Sequence, residues 1–163
     1  MPLDMPQWSA HSDATQLMRV QQLLGVQLPA DYVSHLQSLQ ALQAGGRFPI
    51  RWQPGQAASQ DWPDSALSHL HPLDPDNKQG LVQRNRVRAA GLVPDDCLVI
   101  GRDTAGNALL MAFAPHRFQH ILFAASDYVS QSGWKTEEQH IGWVAQSFSE
   151  WLARMRGETV AAA

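Results

Sequence analysis

Apolar and polar positions alternate most legibly in one stretch, LVIGRDTAGNALLMAF, from Leu98 to Phe113. Leu98, Val99 and Ile100 read as a short buried strand, and Asn107 to Phe113 as the strand that returns beside it. Between them Asp103, Thr104, Ala105 and Gly106 supply turn chemistry: glycine takes a positive φ without steric cost, and Asp103 and Asn107 can bond the local backbone. Two apolar runs joined in this way predict a β-hairpin with a buried inner face. The remaining apolar segments need a surface to pack on, and this hairpin is the natural centre for it.

Two amphipathic helices precede it. Ser12 or Asp13 is a fitting N-cap, after which Ala14, Leu17, Met18, Gln21 and Leu24 fall at helical spacing and Gly25 stands ready to stop the helix. In LPADY, Pro29 suits a first helical position and Asp31 a first turn, and Tyr32, Val33, Leu36 and Leu39 then make one apolar face. Gly45 and Gly46 end that helix. Phe48, Ile50 and Trp52 alternate with Pro49 and Arg51, a strand signal moved toward a sheet edge by the proline. From Gln53 to Gly80 the pattern dissolves into a long surface connection with four prolines and room for a helical turn near Asp64 to His69. Gly80 to Ala90 fits either a short helix or an irregular basic segment. Gln119 to Ala125 reads as a third apolar strand, reached through Pro115 to Phe118. Ile141, Val144, Ala145, Phe148, Leu152 and Met155 recur at steps of three and four, which predicts one long final helix ended by Gly157. The pattern therefore divides the chain into a loose arm over residues 1–11, one domain over 12–157 and a fraying tail over 158–163.

Composition narrows the classes. With 163 residues, 44% of them hydrophobic, the chain suffices for one domain with its own core. Its net charge of −3 argues against a direct nucleic-acid binder, which needs a basic patch or stripe. Cys97 is the single cysteine, so no intrachain disulfide is available, and its place in an apolar run favours a buried thiol. The first residues show neither a basic nor an apolar leader pattern, and no apolar run approaches the ~20 residues of a membrane span. A cytoplasmic protein without membrane contact is expected.

No catalytic, cofactor or metal site is expected. His69 and His71 stand beside Asp74 and Asp76 but lack a second ligand block, so a solvated loop is the simpler reading. His116 and His120 fit no HExxH pattern, GRDTAGN lacks the lysine and spacing of a phosphate loop, and no GxSxG elbow is present. Arg84, Arg86 and Arg88 without interleaved aromatics read as a solvated face. The six tryptophans are the richer clue, since tryptophan is enriched in binding hot spots, although Trp52, Trp62 and Trp134 can equally plug a core beneath a long loop.

Taken together, the blocks resemble the SUKH superfamily. LGVQLPADYVSHL is similar to its opening pair of helices, the Gly45–Gly46 pair to its glycine-rich helix end, LVIGRDTAGNALLMAF to its central hairpin, and IGWVAQSFSEWLARM to its C-terminal helix. Residues 53–92 stand outside this pattern. The resemblance implies an α+β domain in which a central mixed or antiparallel sheet carries two N-terminal helices and one C-terminal helix. It also implies a protein that is not an enzyme. In bacterial members the common role is immunity: the protein binds a cognate toxin domain, such as a nuclease or deaminase, encoded by an adjacent gene, and occludes its active site. A regulatory interaction scaffold of the same superfamily is the alternative, and a small metal-dependent hydrolase a more distant one. A monomer or weak homodimer is expected. For an immunity protein the long segment is the natural contact surface. Its aspartates can mimic the phosphates of a nuclease substrate, and its tryptophans can anchor. The candidate partner-binding residues are accordingly Trp52, Asp61, Trp62, Asp64, Asp74 and Asp76.

Overall fold

A computed structural model describes residues 10–37, 45–56, 58–87, 93–125 and 140–155. It is an α+β domain. In chain order come α1 (Ala10–Leu24), α2 (Ala30–Gln37), β1 (Arg47–Pro49), α3 (Ala58–Asp61), β2 (Asp64–Leu70), α4 (Leu81–Val87), β3 (Cys97–Asp103), β4 (Ala108–Ala112), a 3₁₀ turn at Pro115–Arg117, β5 (Ile121–Ala124), β6 (Ile141–Ala145) and α5 (Phe148–Met155). The strands form one antiparallel six-stranded meander in sequence order. Past β1 the chain swings round to β6: Arg51 N–H donates to Trp143 C=O at 2.7 Å and Trp143 N–H donates back to Arg51 C=O at 2.8 Å. That bridge ties the first and last strands and bends the sheet nearly into a barrel.

The expected hairpin is β3–β4, and its turn is locked from within. Asp103 is buried, and its Oδ1 accepts from the Ala105 and Asn107 amides at 3.0 and 2.6 Å. Its Oδ2 accepts from Asn107 Nδ2 at 2.9 Å and from Ser65 Oγ at 2.6 Å, so the turn is also fastened to β2. Gly106 has a φ of 87°, the conformation foreseen for it. The middle strands are apolar on both faces. Leu98, Ile100, Leu109, Met111, Ile121 and Phe123 join Val20, Tyr32, Phe148 and Trp151 in the main core. Cys97, Val99, Leu110, Ala112, Leu122 and Ala124 make a smaller core on the opposite face.

The helices pack as the motifs foretell, with one long-range addition. α2 starts after Pro29, whose carbonyl accepts from Val33 N–H at 3.0 Å. Asp31 does more than favour its own helix. Its Oδ2 accepts from the backbone and hydroxyl of Ser149 at 3.0 and 2.7 Å, capping the first turn of α5. Tyr32 lies edge-on to Phe148 at 5.0 Å, so two neighbouring residues of LPADY hold the last helix. α1 begins at Ala10, which places Ser12 and Asp13 inside its first turn instead of at its cap. Its inward stripe is buried Val20 with half-buried Leu17 and Leu24, while Met18 is 62% exposed. The part of the second helix expected beyond Gln37, with Leu39, lies outside the described residues, as do Trp134 and Gly157.

Two expectations about whole elements are overturned. The long connection after Gln53 holds a strand, β2, where a helical turn was foreseen. Polar Ser65 takes an inward position that an apolar residue would otherwise mark, because Asp103 receives its hydroxyl. The single final helix is in fact strand then helix. Ile141 to Ala145 pair with β5, and a capping box restarts the chain at Ser147, whose Oγ accepts from Glu150 N–H at 3.1 Å while Glu150 Oε2 accepts from Gln146 N–H at 3.2 Å. A short apolar run fits helix and strand periods alike, and here pairing with β5 and Arg51 decides for strand. The open choice over Gly80–Ala90 resolves, within the described residues, to helix α4. Its Asn85 side chain bonds both backbone groups of Val99 at 2.8 and 2.9 Å where β2 has run out.

Candidate functional site

A concavity lies beside the bridge that closes the sheet. Where the chain leaves Arg51 toward Gln56 it diverges from β6, and an open groove of about 990 Å³ lies between that loop, His140 to Trp143, and the β4–β5 corner. Gly142 permits the approach. A Cβ there would stand 2.3 Å from Ile50 Cγ2 and 3.1 Å from the Trp52 ring. A side chain at this position would push the two ends of the sheet apart.

Guanidinium and indole dominate the groove. The Arg51 guanidinium lies 4.7 Å from the centre of the Trp143 ring, and that of Arg154 lies 5.7 Å from it. Arg154 is tied to Glu150 and donates to Val144 C=O at 3.1 Å. Arg117, from the corner, makes a two-pronged pair with Asp96 at 2.8 and 2.7 Å, and this bonding holds the Asp96 carboxyl below its ordinary range against the opposing effect of burial. His120 meets Trp143 edge-on at 6.3 Å. Burial, then the nearby Arg117 charge, push its pKa below 6.5, with Glu150 acting the other way. The same corner carries Phe118, 52% exposed, and Gln119 with a φ of 68°, the left-handed region that non-glycine residues avoid.

The six residues singled out from the sequence fall in two places. Trp52 lines the groove and donates from Nε1 to Trp62 C=O at 2.7 Å. Both indoles pack on Phe123 and are half-buried against the main core. Asp61 and Asp64 are exposed just beyond them, Asp64 paired with Arg47 at the start of β2. Asp74 and Asp76 follow the far end of that strand, about 20 Å away for seven residues of extended chain. There Asp74 Oδ1 accepts from Asp76 N–H at 2.9 Å and Asp76 approaches Arg19 at 3.6 Å. One tryptophan–aspartate group therefore adjoins the groove and one acidic turn lies apart from it.

His69 and His71 belong to β2 and its exit and not to a solvated loop. Their rings are 5.4 Å apart, His71 is buried, and burial with Arg102 and Arg84 lowers the His69 pKa. Among the described residues no three of His, Cys, Asp and Glu gather as a cation cage. Arg84 is half-buried, and the side chains of Arg86 and Arg88 lie outside the described residues.

Sequence reasoning did not single out Arg51, Arg117, His140 or Trp143 as groove residues. Arg51 and Trp143 meet only through closure of the sheet, and placing Trp143 on a helix hid the pairing. The one local signal was the alternation Phe48–Ile50–Trp52, which turns Arg51 to the opposite side.

No helix among the described residues is long and apolar enough to cross a membrane. Neither the curated proteins nor the solved structures yield a match to this chain. The profile of the SMI1 / KNR4 family (SUKH-1) matches residues 12–154, from the first turn of α1 to the last of α5. With nearly the whole domain matched, the chain belongs to the SMI1 / KNR4 family (SUKH-1).

Proposed function

We propose that this protein is an immunity protein, which binds the toxin domain encoded by an adjacent gene and blocks it stoichiometrically, without chemistry of its own. The observation that carries the reading is the family match across residues 12–154, combined with the role that the SUKH resemblance implies for bacterial members. Occlusion requires shape and charge complementarity only. What supports the reading is half-buried Trp52 and Trp62 as rigid anchors, exposed Asp61 and Asp64 as acidic points suited to a basic toxin, and the groove beside them.

The test is survival. The adjacent open reading frame is expressed in a sensitive host with and without this protein, and the two products are then passed together over a sizing column. Cure of toxicity with co-elution is expected. Toxicity that persists despite co-expression would overturn the reading and leave a regulatory scaffold as the role. Asp61→Lys with Asp64→Lys should slow association and weaken the complex at least about tenfold, while thermal unfolding stays near that of the parent, since the Asp64–Arg47 ion pair is exposed. The same reversal at Asp74 and Asp76 reports whether the contact reaches the far end of β2. Unchanged affinity in both pairs would remove the acidic surface from the interface.

A further inference from the structure

We infer that the groove at the closing seam receives an acidic segment of the partner protein, with a partner carboxylate seated on Arg51. This rests on the reading of the protein as a protein binder and adds the chemistry of what it binds. Arg51 and Arg154 lie against Trp143 and Arg117 lines the same groove, and the three differ in one respect. Arg117 is committed to Asp96 and Arg154 to Glu150. Arg51 is exposed, and among the described residues it faces an indole and no carboxylate.

Its geometry is prepared in advance. Both backbone groups of Arg51 are bonded to Trp143, and its guanidinium rests over the ring of that same residue. A guanidinium stacked on an aromatic face keeps its planar fork of donors outward and gives up little rotamer entropy when a carboxylate takes two of them. Among the described residues no Asp or Glu lines the groove, whereas Arg51, Arg117, His120 and His140 do. The left-handed Gln119 in the adjoining corner is the kind of backbone strain found at ligand clamps.

A nucleic acid fits less well. Backbone tracking needs several uncommitted cations along a path, and base stacking needs an open aromatic face. Here, among the described residues, Arg51 is the groove arginine with no carboxylate against it, and guanidinium groups already lie against Trp143. A single carboxylate with its flanking residues is the matching occupant.

The test uses the isotope-labelled full chain and three short probes: hexaglutamate, hexalysine and a thymidine hexanucleotide. Amide and indole resonances are followed by NMR at low salt. Hexaglutamate should move the Arg51 amide and the Trp143 and Trp52 indoles saturably, with the other two probes leaving them in place. Arg51→Gln should weaken this at least about tenfold, as expected for loss of a charged hydrogen bond. Arg51→Lys, which keeps the charge and loses the fork, should fall between. Silence of the groove resonances toward hexaglutamate, equal binding by Arg51→Gln with an intact spectrum, or an equal response to the thymidine probe would each overturn the inference. Because this readout needs no toxin, its failure is distinct from a failure of the survival test.

Discussion

At the scale of single residues, Gly142 and Asp31 do work that their local sequence does not announce. Gly142 sits on a strand, where glycine is ordinarily a weakness, yet a methyl group there would collide with Ile50 and crowd Trp52. Gly142→Ala should therefore destabilise the domain by about 1–3 kcal/mol through overpacking, read as a lower urea midpoint at unchanged slope. Asp31 was legible as a favourable first-turn acid, but its bonds to Ser149 span the length of the domain. Asp31→Ala should cost about 1 kcal/mol, as for loss of a helix cap. In a double-mutant cycle Ser149→Ala should add less in that background than in the parent, and full additivity would contradict the contact.

At the scale of elements, legibility followed how far each segment's partner lies along the chain. The β3–β4 hairpin is specified by neighbours, since Asp103, Gly106 and Asn107 form its turn among themselves, and the sequence states it openly. The α1–α2 pair carries its own apolar stripes and stop signals. β2 and β6 are defined by residues distant in sequence. Ser65 is inward only because Asp103 receives it, and Ile141 to Ala145 extend only because β5 and Arg51 pair with them. Read alone, Ile141–Met155 keeps helical spacing through a strand, and the Ser147–Glu150 capping box is the one local mark of the break. The candidate site was legible in the same measure. Trp52, Trp62, Asp61 and Asp64 were visible as residue types, while the groove beside them is assembled from three separated segments.

At the scale of the whole molecule, the titrating groups give stability a direction in pH. His69 and His120 have pKa values lowered in the fold, chiefly by burial, and Asp96 is lowered by Arg117. A lowered value means that the unfolded chain binds the proton more readily, so each contribution is complete above the unfolded pKa and is lost as pH falls through the folded one. For the histidines that loss begins below about 6.5 and for Asp96 below about 4. Buried Tyr32 works in the opposite sense: burial raises its pKa, so its neutral form stabilises the fold up to about pH 10 and the contribution fades above. Melting temperatures across pH should form a plateau from about 7 to 9, with an acid flank in two stages. His120→Gln and His69→Gln together should flatten the first stage, and an unchanged flank would contradict the assignment.

The bridge between Arg51 and Trp143 has one more consequence. An open meander would expose two bare strand edges, each a template on which another copy could add and from which fibres could grow. Here Pro49 withholds a donor from the short first strand, Arg51 and Trp143 occupy each other's main-chain groups, and α5 packs across both β1 and β6. The same stitch that borders the groove leaves, among the described residues, little bare sheet edge on which a second copy could add its own strand.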